Sequence, residues 1–137
     1  MGNHIVLIQC SATKLDRPAK ARDMYVSTLF KHSLRYAESL KPDKIYVLSG
    51  KYGLLHLDDY IEPYNVFIGD MDMISQHNWA KGVVESLKKE CDVDNDDFTL
   101  LCGVKYRRFI MRYLKNTRVP MTGIGIGEQL RFLKDRI

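Results

Sequence analysis

Lys44-Ile45-Tyr46-Val47-Leu48-Ser49-Gly50-Lys51-Tyr52-Gly53-Leu54-Leu55 is the stretch that decides the fold. Its first five residues are strand formers. They run without a break into two small residues, a cation, a phenol and a second glycine. A strand that stops there and at once presents Lys51 and Tyr52 has the layout of a binding edge, because open α/β sheets hold ligands just beyond the carboxyl ends of their strands. The same residues also read as a plain strand-to-loop turn with a solvated lysine.

Outward from this point the chain alternates. His4 to Gln9 is a short continuous apolar run, the pattern of a buried parallel strand. Cys10 to Lys20 reads as a loop. Ser27 is positioned as an N-cap, Leu29, Phe30, Leu34, Ala37 and Leu40 follow near helical spacing, and Pro42 ends the element. Lys44 to Leu48 is the second strand. Ser49 to Asp70 reads as one long loop, and loops of that length are usually functional. Ser75 is the expected cap of a second helix with Trp79, Val83, Val84 and Leu87 on its inner stripe. Phe98 to Cys102 is the third strand, followed by a helix over Lys105 to Leu114. Arg118 to Met121 is expected as a short fourth strand, with Pro120 favouring an edge. Gly123-Ile-Gly-Ile-Gly127 then opens a last helix, Glu128 to Asp135. The order predicts one α/β domain over residues 1–137: three layers, with a mainly parallel four-stranded sheet and helices on both faces.

Composition narrows the class. The chain has 137 residues, enough for one real core, with 45% apolar and 28% charged residues, as in ordinary globular proteins. No apolar run approaches the roughly 20 residues that span a bilayer. Met1-Gly2-Asn3-His4 leads into a strand without a secretory pattern, so the expected location is the cytoplasm. Cys10, Cys91 and Cys102 are odd in number and irregular in spacing, which argues against a disulfide framework and a Cys-x-x-Cys metal site. Neither a metal nor a cofactor is expected. A formal charge of +4 is compatible with nucleic acid or a phosphorylated ligand.

In a parallel sheet the strand ends Gln9-Cys10-Ser11, Ser49-Gly50-Lys51-Tyr52, Cys102 to Arg107 and Thr122 to Gly125 meet on one edge. That edge is the expected site. Its candidate ligand-binding residues are Cys10, Ser11, Lys14, Tyr25, Ser49, Gly50, Tyr52, Gly53, Tyr64, Arg107 and Gly125. Asp23, Lys51 and Glu62 are the candidate catalytic groups. Cys10 reads equally as a small buried hydrophobe, Lys14 as a solvated loop cation, Asp23 and Tyr25 as a cap and a packing aromatic, and Glu62-Pro63-Tyr64 as a rigid turn. The spacing Gly123-x-Gly-x-Gly127 is not a dinucleotide fingerprint. It suits phosphate at a helix amino end or a close helix–sheet crossing. Lys105-Tyr106-Arg107-Arg108, with Arg112, Lys115 and Arg118, is the strongest nucleic-acid signal, and it reads as well as a solvated helix face.

Cys10-Ser-Ala-Thr-Lys14, Ala21-Arg-Asp-Met-Tyr25-x-Ser27-x-Leu29-Phe30, Leu48-Ser-Gly-Lys-Tyr-Gly-Leu54, Ile61-Glu-Pro-Tyr64 and Gly123-Ile-Gly-Ile-Gly-Glu-Gln129 together resemble a small bacterial and phage domain related to the YaaA peroxide-stress proteins. The likeness covers nearly the whole chain. The Cys-Ser-x-x-Lys start is also similar to a domain of archaeosine-synthesis enzymes, itself like the uracil-DNA glycosylase fold. The resemblance implies a domain linked to nucleobases or nucleic acid. It fixes no reaction, and YaaA-like proteins are longer than this chain.

The resulting expectation is a domain acting on a nucleotide, a modified base or nucleic acid, with chemistry at an N-glycosidic bond or at the base. Such chemistry needs a carboxylate near the sugar, a cation or amide donors for phosphate, and an aromatic to stack the base. The alternative is a non-enzymatic nucleic-acid-binding or accessory module.

Overall fold

A computed structural model describes residues 2–137. In chain order the elements are β1 (His4–Gln9), β2 (Ala19–Lys20), α1 (Ala21–Met24), α2 (Thr28–Ser39), β3 (Lys44–Ser49), β4 (Gly53–His56), β5 (Tyr60–Ile61), α3 (Met73–Lys88), β6 (Asp97–Leu101), α4 (Val104–Arg107), β7 (Asn116–Arg118) and α5 (Ile126–Lys134). Short 3-10 turns lie at Ile68–Asp70 and Ile110–Tyr113.

The main sheet has five strands in the order β4-β3-β1-β6-β7. β1 is parallel to β3, with Ile5 opposite Lys44, and parallel to β6, with His4 opposite Asp97. β6 is parallel to β7. Ile5, Val6, Leu7 and Ile8 are successive residues of β1, and each is at most 1% exposed. Successive side chains leave a strand on opposite faces, so both faces of β1 are out of water. This is why the run is apolar without alternation.

The fifth strand is a correction to the expected four. β3 turns back on itself, and β4 pairs with it antiparallel, Ser49 opposite Gly53 and Tyr46 opposite His56. Gly50, Lys51 and Tyr52 form the tip. Gly53 closes it at φ +73°, a left-handed conformation that glycine takes without a Cβ penalty. The expected Ser49–Asp70 loop is therefore broken into structure. Its next segment, β5, forms a two-stranded antiparallel ladder with β2, Ala19 opposite Ile61, which ties the loop after β1 to the loop after β4.

Other boundaries move for local reasons. Ser27 caps α2 by accepting from the Phe30 N–H at 3.1 Å, as expected. α2 closes at Lys41, held at φ 51°, and Pro42 then blocks continuation. Asp72, not Ser75, caps α3, accepting from the Ser75 N–H at 2.7 Å. The expected helix over Lys105–Leu114 is α4 followed by a separate 3-10 turn. The break lets Arg107 reach back to the Cys102 carbonyl while Arg108 reaches Gln76 on α3. β7 ends at Arg118 because the chain then turns, the Thr122 N–H bonding the Val119 carbonyl, and Pro120 has no N–H to offer the ladder. No helix among the described residues is long and apolar enough to cross a membrane.

Away from the carboxyl edge, His56 on β4 is tied to the end of α3. Its Nε2 lies 2.7 Å from Glu90 Oε1 and its Nδ1 3.3 Å from Asp59 Oδ2. The Glu90 hydrogen bond, reinforced by Asp59, raises the His56 pKa above its ordinary value, and the same bond lowers that of Glu90. A raised histidine pKa contributes stability that is complete below the unfolded value, about 6.5, and lost as pH rises through the folded value. The lowered Glu90 pKa contributes stability that is complete above about 4.3 and lost on acidification. Both groups are partly exposed, so the link is worth under about 1 kcal/mol. Urea titrations should show His56→Ala less stable than the parent near pH 6 and equal to it near pH 9. An equal deficit at both values would make the residue a packing element instead.

Candidate functional site

The chain runs from β1 outward to β3, then crosses β1 to build β6 and β7 on its other side. The strand order therefore reverses between β1 and β6, and a crevice opens at the carboxyl ends of such a pair. Two cavities lie there. The first, about 190 Å³, sits between the ends of β1 and β6, with Arg107, Ser33 and Gln129 among its lining residues. The second, about 250 Å³, lies between the end of β1 and the 65–67 loop, with Lys14, Phe67 and Tyr106 in its walls. Gln9, Cys10, Ser11 and Leu29 line both, so the cavities adjoin along the end of β1. Each is smaller than the roughly 300–1,000 Å³ of a drug-sized ligand site, which suits a fragment in each rather than a large ligand in one.

A hydroxyl network stands beside the second cavity. Ser49 Oγ accepts the N–H groups of Lys51 at 3.2 Å and Tyr52 at 3.0 Å, and donates to Tyr64 Oη at 2.7 Å. Tyr64 and Tyr25 share a bond of 2.6 Å. The two accepted N–H groups use both lone pairs of Ser49, so its proton must go to Tyr64. One proton then bridges the two phenols, and the other phenolic proton has no partner in the network. Burial pushes the Tyr25 phenol up to about 12 and raises that of Tyr64 as well. Both phenols are neutral at physiological pH and act as donors and acceptors, not as bases.

Lys14 lies over this pair. Its Nζ is 4.5 Å from the centre of the Tyr64 ring and 5.8 Å from that of Tyr25, within cation–π range. Backbone pairing sets its place: Lys14 and Tyr25 form an antiparallel bridge, with Leu15 N–H to the Met24 carbonyl and Val26 N–H to the Thr13 carbonyl. Burial lowers the Lys14 pKa, and the neighbouring Cys10 opposes this. Among the described residues its only hydrogen bond is a 3.3 Å contact to the Ala12 carbonyl.

Tyr106 forms the floor. Its hydroxyl is 3.5 Å from Cys10 Sγ and accepts from the Ile68 N–H at 3.5 Å. The Trp79 ring packs edge-on against it, and the Trp79 N–H donates to the Ser49 carbonyl at 2.9 Å. Gly50 allows the 65–67 loop to cross close by, since a Cβ there would sit 2.6 Å from the Val66 carbonyl oxygen. Burial pushes the Cys102 thiol up to about 12 against the pull of Arg107, so it is no ready thiolate.

Of the residues expected from sequence, Cys10, Ser11, Lys14 and Arg107 line the cavities, while Tyr25, Ser49 and Tyr64 form the network beside them. Gly125 is the N-cap residue of α5. Gly53 is a turn residue, and the Tyr52 hydroxyl accepts from the Glu62 N–H at 3.3 Å. Asp23, Lys51 and Glu62 are exposed. Lys51 Nζ lies 5.2 Å from the Tyr52 ring centre, and Tyr52 in turn packs edge-on against Tyr64. Sequence reasoning missed Ser33, Asn65, Val66 and Phe67 as lining residues. The sequence signal for Phe67 is a large aromatic in an otherwise turn-rich loop; the structure adds that it is 45% exposed with Lys105 Nζ 5.9 Å from its ring centre.

The basic run is not one free face. Arg108 hydrogen-bonds Gln76 and contacts Met73 Sδ at 3.0 Å, and its guanidinium is 5.1 Å from the Phe109 ring. Lys105, Arg112, Lys115 and Arg118 are exposed.

The chain belongs to DUF6884, a family of unknown function, which matches residues 5–135. No curated protein and no solved structure matches it. Membership covers nearly the whole domain, so both cavities and the hydroxyl network fall within the family's span. The family description names neither the YaaA proteins nor a glycosylase.

Proposed function

We propose that the chain is a three-layer α/β domain of the cytoplasm that binds a nucleotide, or a modified nucleobase within a nucleic acid, at the carboxyl edge of β1. The observation that carries this reading is Lys14. It is a partly buried cation held over two phenols, without a carboxylate partner among the described residues, in the wall of a cavity with the exposed ring of Phe67. A cation that has lost solvent without gaining a counter-charge is set to donate to a ligand oxygen or ring nitrogen. An exposed ring at the same cavity offers a stacking face. The resemblance to the YaaA-related and glycosylase-like domains supports the same class of ligand.

The geometry favours binding over cleavage of a glycosidic bond. Cleavage asks for a carboxylate beside the sugar. Asp23 and Glu62 are exposed, and neither side chain joins the network. Calorimetric titration with bases, nucleosides, nucleotides and short oligonucleotides tests the proposal. Phe67→Ala should melt like the parent and bind a base-containing ligand about 1–3 kcal/mol more weakly, the usual worth of one aromatic–base stack. Steep salt dependence would mark a polymer as the ligand. If no base-containing ligand binds the parent, or if Phe67→Ala binds equally well, the proposal fails.

A further inference from the structure

The first cavity has a different chemistry from the second. Arg107 is its cation. Its Nη1 donates to the Cys102 carbonyl at 2.8 Å and its Nη2 reaches Thr122 Oγ1 at 3.4 Å. A guanidinium has five N–H donors, and no carboxylate pairs with Arg107 among the described residues. Ser33, on α2, also lines this cavity although it is only 2% exposed, and its hydroxyl makes no hydrogen bond to the protein among the described residues. Among the described residues the fully buried unpaired side-chain atoms are His32 Nδ1 and Arg108 Nε, so the Ser33 oxygen stays open to the cavity it lines, and α2 would hold an alanine there at lower cost.

The amino end of α5 closes the same cavity through Ile126 and Gln129. Gly125 provides no side-chain cap, and the Gln129 N–H is the donor to the Gly125 carbonyl, at 2.9 Å. The N–H groups of Ile126, Gly127 and Glu128 precede that bond and have no intrahelical acceptor. Gly127 sits inside the first turn, where glycine is unfavourable. A Cβ there would meet nothing within 4 Å, so the protein's own packing does not require the glycine. The Glu128 carboxylate is in the same turn but exposed.

We infer that the cavity between β1 and β6 is a phosphate subsite, formed by Arg107, the Ser33 hydroxyl and the uncapped amino end of α5 at Ile126, and that the ligand is a nucleoside phosphate rather than a free base. Orphan amides at a helix amino end favour an anion. An arginine adds charge and planar hydrogen bonding, and the buried hydroxyl gains in the ligand the acceptor it lacks in the protein. The strip shared by the two cavities, Gln9 to Ser11, lets one molecule place its phosphate here and its base beside Phe67. The second half of the inference rests on the base-binding proposal; the first half does not.

Calorimetry on the full chain with inorganic phosphate, and with each common nucleoside beside its 5′-monophosphate, separates the two. The parent should bind inorganic phosphate and prefer a monophosphate to its nucleoside by at least about tenfold, the worth of one hydrogen bond to a charged group. Arg107→Gln should abolish that preference. Ser33→Ala should weaken phosphate binding while melting at or above the parent's temperature, an opposition that a purely structural role for Ser33 does not produce. Equal binding of nucleoside and monophosphate by the parent would overturn the subsite, as would parent-like phosphate binding in both variants. Phosphate binding that depends on Arg107 and Ser33, with no binding of any nucleoside, would uphold the subsite while overturning the base-binding proposal.

Discussion

Ser49→Ala is expected to lower stability by about 2–4 kcal/mol, the sum of a few hydrogen bonds lost at a buried position. Ser49 is 0% exposed and joins three groups: the N–H donors of Lys51 and Tyr52, and the Tyr64 hydroxyl. Alanine removes the acceptor that holds the tip of the β3–β4 hairpin and the donor that orders the phenol pair. For a domain of this size the melting temperature should fall by about 5–15 °C. Tyr64→Phe retains the ring packing against Tyr52 and loses only the hydroxyl, so its cost should be smaller. If the network acts as a unit, the double variant should cost less than the sum of the two, because each change already breaks the shared bond. Additive losses would show two independent contacts. A Ser49→Ala protein that melts within about 2 °C of the parent would remove the network from any account of stability.

The sheet was legible because β1 and β3 are continuous apolar runs whose surroundings leave no other reading. Their parallel pairing follows from the helix between them. β4 was not legible. Gly53-Leu54-Leu55-His56 has one buried residue and no alternation long enough to register, and its pairing is set by the turn chemistry of Gly50 to Gly53. The lysine beside that turn drew attention because it follows a buried strand between two glycines. The turn that makes Lys51 conspicuous also carries it into solvent. Lys14 is less conspicuous in sequence, since its loop has no periodicity. Its place is fixed by the backbone bridge to Tyr25 across an irregular loop, a pairing that no periodicity announces. Tyr25 and Tyr64 could be named as site residues from sequence, but their mutual bond depends on Ser49 arriving from a third segment. Phe67 was missed because an aromatic in a loop is ordinarily read as a packing anchor, and its exposure is visible only once Tyr106 is seen to fill the floor beneath it.

Lys14→Met should weaken binding of a nucleotide by at least about tenfold and leave the fold intact, which is the largest functional effect expected of a single side chain here. Methionine keeps the unbranched shape over the Tyr64 ring and removes the charge. Because burial already penalises that charge and no carboxylate offsets it, the variant should melt at or above the parent's temperature. The pH profile adds a second reading. Burial holds the Lys14 pKa below its usual 10.5, so the amine loses its proton, and with it the charged donor, at a lower pH than an ordinary lysine does. Nucleotide affinity in the parent should therefore fall as pH rises toward 10. Lys14→Arg keeps its charge throughout that range and should bind with a flatter profile, even if its fork fits the ligand less well. Lys51→Met, by contrast, changes an exposed residue that stands over Tyr52 rather than over the Tyr25–Tyr64 pair and should alter binding and stability by less than about 0.5 kcal/mol. Calorimetry on the three variants between pH 7 and 10 decides the matter. If Lys51→Met loses binding while Lys14→Met retains it, the functional cation is the one at the hairpin tip, and the phenol pair under Lys14 is packing alone.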